Sequence, residues 1–184
     1  MKRKLLIITL FISLFIFTGC DDLLDAAADM TAPDTGASLE LDEKENLQKG
    51  VVTYVIDGDT FDVELESGVV ERVRPILVDA PEICHASSPP DCEPEPFGED
   101  ATDFTRELLT GKTVYLEQDV SERDPFDRLL FYVYLEAGSM YQELILAEGL
   151  AEVAVYEPDV KYRDALESVE QQAKSEGINL WGND

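Results

Sequence analysis

Apolar and polar positions change period several times along the chain, and each change marks an element. Val51, Val52, Tyr54, Val55 and Ile56 crowd residues 50–56, which predicts a strand. Asp57-Gly58-Asp59 follows as a turn signal. Phe61, Val63 and Leu65 then alternate with Asp62, Glu64 and Glu66, the pattern of a half-buried strand. Ser67-Gly68 turns the chain again, and residues 69–78 predict a third strand that ends at Asp79-Ala80-Pro81-Glu82. Consecutive strands on short turns suggest a meander closing into a small barrel.

Residues 83–97 are dense in Pro, Ser, Glu and Asp and read as a loop. Residues 98–109 place Ala101, Phe104, Thr105, Leu108 and Leu109 on one face, predicting a helix that stops near Gly111. Residues 113–119 and 129–135 predict two more strands. Ser139 reads as the N-cap of a helix over 140–148, ended by Gly149. Residues 150–156 are apolar and extended. Asp159 reads as the cap of a last helix carrying Tyr162, Leu166, Val169 and Ala173 on one face. Tyr54, Tyr115 and Tyr156 read as partly core. This order fits an OB-like barrel with helices or a generic α+β domain, and a fold alone does not fix a function.

The N-terminal pattern is of another kind. Lys2, Arg3 and Lys4 precede an apolar stretch too short for a membrane span, ending in Thr18-Gly19-Cys20. This resembles a bacterial lipobox, with residues 1–19 as signal peptide and Cys20 as the lipidated mature N-terminus. Residues 20–48 hold nine acids against Lys44 and few large apolar side chains, so they read as a flexible acidic tether. The folded domain is expected over 49–184. The protein is then expected outside the cytoplasm, held to the membrane by lipid.

Charge narrows the chemistry. The formal net charge is -26. Removing the tether's nine acids and Lys44, and the three leader bases, from totals of 40 acids and 14 bases leaves the domain near -21. Such a balance argues against a basic face that coats nucleic acid non-specifically. A single histidine, His85, disfavours histidine-rich metal sites, while the stock of carboxylates favours oxygen-ligand cations such as Ca²⁺ or Mg²⁺.

Four segments concentrate the chemistry: 56–60, 74–82, 96–101 and 123–128. Asp59 and Asp79 each stand at a strand end, where carboxylates and a backbone carbonyl can converge on a hard cation. Glu82 lies three residues beyond Asp79, past a stiffening proline. Arg74 precedes Asp79 by five residues, which puts the two on opposite faces of an ideal strand; a bulge at Pro75 would bring them together. Two Arg forks, Arg74 and Arg128, suit the charge that grows on a phosphodiester in its transition state. Taken singly, the acidic segments also read as ordinary turns, and Arg128 beside Asp124 and Asp127 as a surface ion pair.

Together the segments resemble the staphylococcal-nuclease-like domain. That family has an Asp-Gly-Asp-Thr turn, an Arg and Asp-x-Pro-Glu at these offsets, a helix opened by Gly-x-x-Ala, and an Asp-x-x-x-Arg element before an apolar strand. All occur here in order, and 146–151 and Asn179-Leu180-Trp181 are similar too. The resemblance implies an α+β fold, a five-stranded OB-like barrel with three helices. It implies Ca²⁺ held by Asp59, Asp79 and the carbonyl of Ala80. Glu82 is implied to position or deprotonate the attacking water, with Arg74 and Arg128 on the phosphate. The implied reaction is hydrolysis of DNA or RNA to 3′-phosphates; a single-stranded substrate and a monomeric chain are expected beside it. Phe126-Asp127 replaces the family's usual Tyr-Gly.

Cys84 and Cys92 flank His85 in the loop. Outside the cytoplasm they read as a disulfide; two thiols and one imidazole as a metal site would supply only three ligands. Two other functions compete with the nuclease: a non-catalytic lipoprotein that binds nucleic acid or protein on the same barrel, and a diffuse Ca²⁺ buffer.

Overall fold

The computed structural model describes residues 47–182. The signal peptide, Cys20 and nearly all of the tether lie outside the described residues. Among the described residues, no helix is long and apolar enough to cross a membrane.

Five strands close into a barrel: β1 (Gln48–Asp57), β2 (Thr60–Leu65), β3 (Val70–Pro75), β4 (Thr113–Glu117) and β5 (Leu129–Leu135), in the order β1-β2-β3-β5-β4. All pairs are antiparallel except β3 with β5, which run parallel from Val73↔Leu129 to Pro75↔Phe131. Three helices accompany them among the described residues: α1 (Gly98–Leu109), α2 (Tyr141–Ala147) and α3 (Arg163–Glu176). This is the five-stranded barrel with helices that the sequence predicts. Alternation does the work in β2, where Phe61 and Val63 are fully buried and Glu64 is exposed. Helix α1 buries Ala101, Thr105 and Leu109 of the face that the periodicity predicts and packs Phe104 and Leu108 partly against the core, while Thr102, outside that face, is fully buried. Glu99 and Asp100 in its first turn and Arg106 in its last suit the helix dipole.

Several boundaries differ. β1 begins at Gln48, which pairs with Leu116, one residue inside the segment read as tether. β3 ends at Pro75 rather than at residue 78, because Leu77 takes a left-handed φ of 64° that no strand continues. Ser139 does not cap α2; Met140 occupies that position without a side-chain bond. Asp159 does not cap α3, which starts at Arg163. Its carboxylate instead accepts the amides of Val120 at 2.9 Å and Ser121 at 2.7 Å across the barrel. Residues 150–156 form no strand; Glu152 exchanges backbone bonds with Asp79 at 2.9 Å each. Tyr54 and Tyr156 are exposed, at 64% and 71%, and the buried tyrosines are Tyr132, Tyr134 and Tyr141.

Beyond the parallel β3–β5 seam the Ile76 amide still donates to the Phe131 carbonyl at 3.0 Å, and the Val133 amide turns toward α2 for an acceptor. Gln142, fully buried on that helix, supplies it. Its Oε1 accepts the amide of Val133 at 3.2 Å, and its Nε2 donates to the carbonyls of Phe131 at 3.1 Å and Ile76 at 3.4 Å. Gln142→Leu keeps the volume but leaves the Val133 amide without its acceptor, at a cost of about 1–3 kcal/mol per stranded group. We expect urea denaturation to report a loss of roughly 2–4 kcal/mol; a loss too small to resolve would contradict this role.

Candidate active site

The site is built from a turn pressed into the barrel end. Gly58, between β1 and β2, lies so close to its neighbours that a Cβ there would stand 2.6 Å from that of Ala80 and 3.0 Å from that of Ala101. No side chain fits. The Gly58 carbonyl points into the protein, where Thr105 of α1 donates to it at 2.9 Å and the buried hydroxyl of Tyr141 also donates. The turn is thereby fixed from below. The Asp59 amide donates to Asp57 Oδ1 at 3.2 Å, which orders the turn from above.

Asp59 is 6% exposed. Its Oδ2 accepts the Ala80 amide at 2.7 Å and lies 3.1 Å from Nη1 of Arg74. Nη2 of the same guanidinium lies 2.6 Å from Oδ1 of Asp79. The five-residue spacing between Arg74 and Asp79 is resolved by the turn at Ile76-Leu77: the chain doubles back, and Arg74 also donates to the carbonyl of Val78. Burial pushes the Asp59 carboxyl up to about 7, against the pull of Arg74 and the Ala80 amide, with Asp57 and Asp79 adding to the rise. Glu82 is raised as well, by desolvation first and then by Asp57 and Asp79.

Arg128 comes from the loop before β5. Asp124, which the sequence reading left as an ion-pair partner, organises that loop. Its Oδ1 accepts the amides of Phe126 and Arg128, both at 2.9 Å, and its Oδ2 accepts Nε of Arg128. Nη1 of Arg128 lies 3.4 Å from Oγ1 of Thr60, itself 3.2 Å from Oδ1 of Asp59. Asp127 takes a left-handed φ of 68°, the conformation a glycine would adopt freely. Its carboxylate turns to Arg123 at 3.6 Å, away from Arg128. Phe126 is 79% exposed with its ring 5.4 Å from the Arg128 guanidinium, a cation–π contact. Arg74, Arg128, Phe126 and Tyr156 line one cleft of about 450 Å³.

Glu82 sits on the neck of the following loop. Its amide donates to Glu95 Oε2 at 3.0 Å, and its carbonyl accepts the Glu95 amide at 2.9 Å. Gly98, the first residue of α1, passes beneath, where a Cβ would meet the Glu82 carbonyl at 2.6 Å. Cys84 and Cys92 are joined by a disulfide within this loop. Asp59, Asp79 and Arg74 thus converge through direct contacts, Arg128 reaches Asp59 through Thr60, and Glu82 lies near enough for Asp57, Asp79 and Arg74 to act on its charge. Asp57, Asp124, Thr105 and Tyr141 hold the site together without having stood out as site residues in the sequence. Asp57 and Asp124 carried a signal, as the first residue of the Asp-Gly-Asp turn and as the acid of the Asp-x-x-x-Arg element.

A model of the staphylococcal nuclease homologue family matches residues 72–183. The chain is 38% identical over 138 residues to the thermonuclease of Staphylococcus hyicus, covering 75% of this chain and 78% of that protein. It is 44% identical over 128 residues to the SPbeta prophage-derived endonuclease YokF of Bacillus subtilis (strain 168) and to the endonuclease YncB of the same organism. Each match covers 68% of this chain, but only 41% of YokF and 58% of YncB.

An acid whose pKa is higher folded than unfolded costs no stability below its unfolded value, and its full cost appears above the folded one. For Asp59 that window runs from 3.8 to about 7. In chelator, Asp59→Asn should therefore gain stability relative to the parent as pH rises from about 4 to about 8, by roughly 1–4 kcal/mol. Urea midpoints at both pH values check this; a gap that ignores pH would contradict it.

Proposed function

This chain belongs to the staphylococcal nuclease family, and on that footing we propose that it is a calcium-dependent nuclease hydrolysing DNA or RNA to 3′-phosphate products. The observation that carries the reading is the shared guanidinium of Arg74, which brings Asp59 and Asp79 to one point beside Arg128.

The donor set suits a hard cation. Asp59 is a buried carboxylate raised in pKa by burial with two more carboxylates nearby, a charge arrangement that a cation relieves. Asp59, Asp79 and the carbonyl of Ala80 would hold Ca²⁺, all through oxygen. When bound, the ion supplies positive charge toward the phosphate oxygens. Arg74, whose fork is otherwise spent on the two carboxylates, is then free to turn to a phosphate oxygen. Arg128 reaches the same phosphate from the opposite loop, with Asp124 holding its orientation. Glu82, its pKa raised by burial and by Asp57 and Asp79, accepts the proton of the attacking water. Phe126 and Tyr156 offer exposed rings on which an unstacked base can lie, which favours single strands.

The leader and Cys20 support a lipid-anchored protein on the extracytoplasmic membrane face, and the disulfide suits that compartment. Expressed in a bacterial host, the chain should partition into detergent, and Cys20→Ser should move it to the aqueous phase. An unchanged partition would overturn the anchor.

The test of activity uses the full-length chain in detergent with single-stranded DNA and RNA, in Ca²⁺ or chelator. Cleavage should require Ca²⁺ and leave 3′-phosphate ends. Glu82→Gln and Arg128→Ala should each lower the rate by roughly 10²–10⁴-fold. Folded parent protein that cleaves neither substrate would leave a binding lipoprotein on the same barrel.

A further inference from the structure

A second set of ligand-bearing side chains meets beside the Asp59–Arg74–Asp79 contact. Asp57, Glu82 and His85 each offer one ligand atom, and these atoms lie within 4.8 Å of one another. They arrive from separate segments: the end of β1, the neck of the loop after β3, and the disulfide loop itself. His85 Nε2 already stands 3.6 Å from Asp57 Oδ2. Donor atoms on a tetrahedral zinc ion, at bond lengths of about 2.0–2.2 Å, lie roughly 3.3–3.6 Å apart. The set therefore has to close by little more than an ångström to hold such an ion.

The backbone that carries the imidazole is held in place. Cys84, its chain neighbour, is tied to Cys92. The His85 amide donates to Ser88 Oγ at 2.9 Å, and the Ser88 amide donates back to the His85 carbonyl at 2.9 Å. The disulfide also consumes both thiols, so the donors are one nitrogen and two carboxylate oxygens. That differs in kind from the all-oxygen set of Asp59, Asp79 and Ala80. An imidazole nitrogen favours a borderline cation such as zinc over calcium.

We propose that Asp57, Glu82 and His85 form a second cation site, selective for Zn²⁺, whose occupation withdraws Glu82 from its work on the attacking water. The fourth position is open to solvent or water, as three protein ligands leave it. Zinc is then a brake on the neighbouring chemistry, and calcium alone does not fill the site. The binding claim stands on these three side chains; only the braking effect rests on the nuclease reading.

His85 is the single histidine of the chain, so its imidazole resonances are unambiguous in untagged protein. The full-length chain in detergent, in millimolar Ca²⁺ to occupy diffuse carboxylates, is titrated with Zn²⁺ by calorimetry and by NMR. One zinc should bind per chain at micromolar or tighter affinity and shift both carbon-bound imidazole protons. His85→Asn and Asp57→Asn should each weaken binding by about 100-fold, at least what loss of an outer partner costs a metal site. Zinc that binds with the imidazole unmoved, or equally well in His85→Asn, would place the ion on other carboxylates and overturn the site. No binding at micromolar zinc would do the same. In the cleavage assay, zinc should slow the calcium-dependent rate, and His85→Asn should raise the zinc needed relative to its own uninhibited rate. A chain that binds zinc through His85 but never cleaves would refute the nuclease reading and leave the site intact.

Discussion

Asp59 buries its carboxylate between the β1–β2 turn and the segment carrying Ala80, and a charge so placed is costly unless it is met. Arg74 meets it with one arm of its fork and holds Asp79 with the other. The rest of the site follows from that triangle. Arg74 can reach Asp79 only because the chain breaks out of β3 at Ile76-Leu77. Asp59 can sit against Ala80 only because Gly58 has no side chain and because Thr105 and Tyr141 satisfy its inward carbonyl. The barrel supplies rigid positions for these groups, and α1 and α2 supply the hydroxyls that fix the turn from inside.

What could be read in the sequence divides along physical lines. Period-2 alternation marked β2 and period-3.6 spacing marked α1, because burial of one face is written directly into the order of residues. The Asp-Gly-Asp and Asp-Ala-Pro-Glu segments stood out because turn chemistry is local. Contacts between distant segments were not legible. Asp159 looks like a helix cap in sequence, yet its carboxylate serves the amides of Val120 and Ser121, 38 or 39 residues away. Tyr54 and Tyr156 carry the same residue type as Tyr141, and nothing local tells an exposed ring from one whose hydroxyl ends on Gly58. The Arg74–Asp79 spacing looked wrong for one face, and the answer lay in a left-handed leucine that no pattern announces.

The two departures from the usual family pattern are local exchanges that the fold absorbs. Asp127 accepts the left-handed backbone and directs its charge to Arg123, which also forks onto Glu71 of β3. That pairing ties the 123–128 loop to the barrel and spares Arg128. Phe126 loses a hydroxyl but keeps an aromatic face against the Arg128 guanidinium. The loop therefore still delivers one well-oriented cation to the cleft, by a different set of supports.

The acidity of the chain and the anionic nature of a nucleic acid need not conflict, because they act over different ranges. Net charge governs the long-range field, which salt screens beyond about 10 Å. At the site the relevant quantities are contacts of a few ångströms: two guanidiniums, a group of carboxylates that a cation neutralises, and exposed rings. Carboxylates that repel an anion when bare become attractive once a divalent ion sits among them, so under the proposed calcium reading recognition would be conditional on the ion. A basic nuclease can hold its substrate without metal. On the proposed calcium reading, the same acidic groups that build the centre would also withhold it until a cation arrives, so that binding and catalysis would depend on one event.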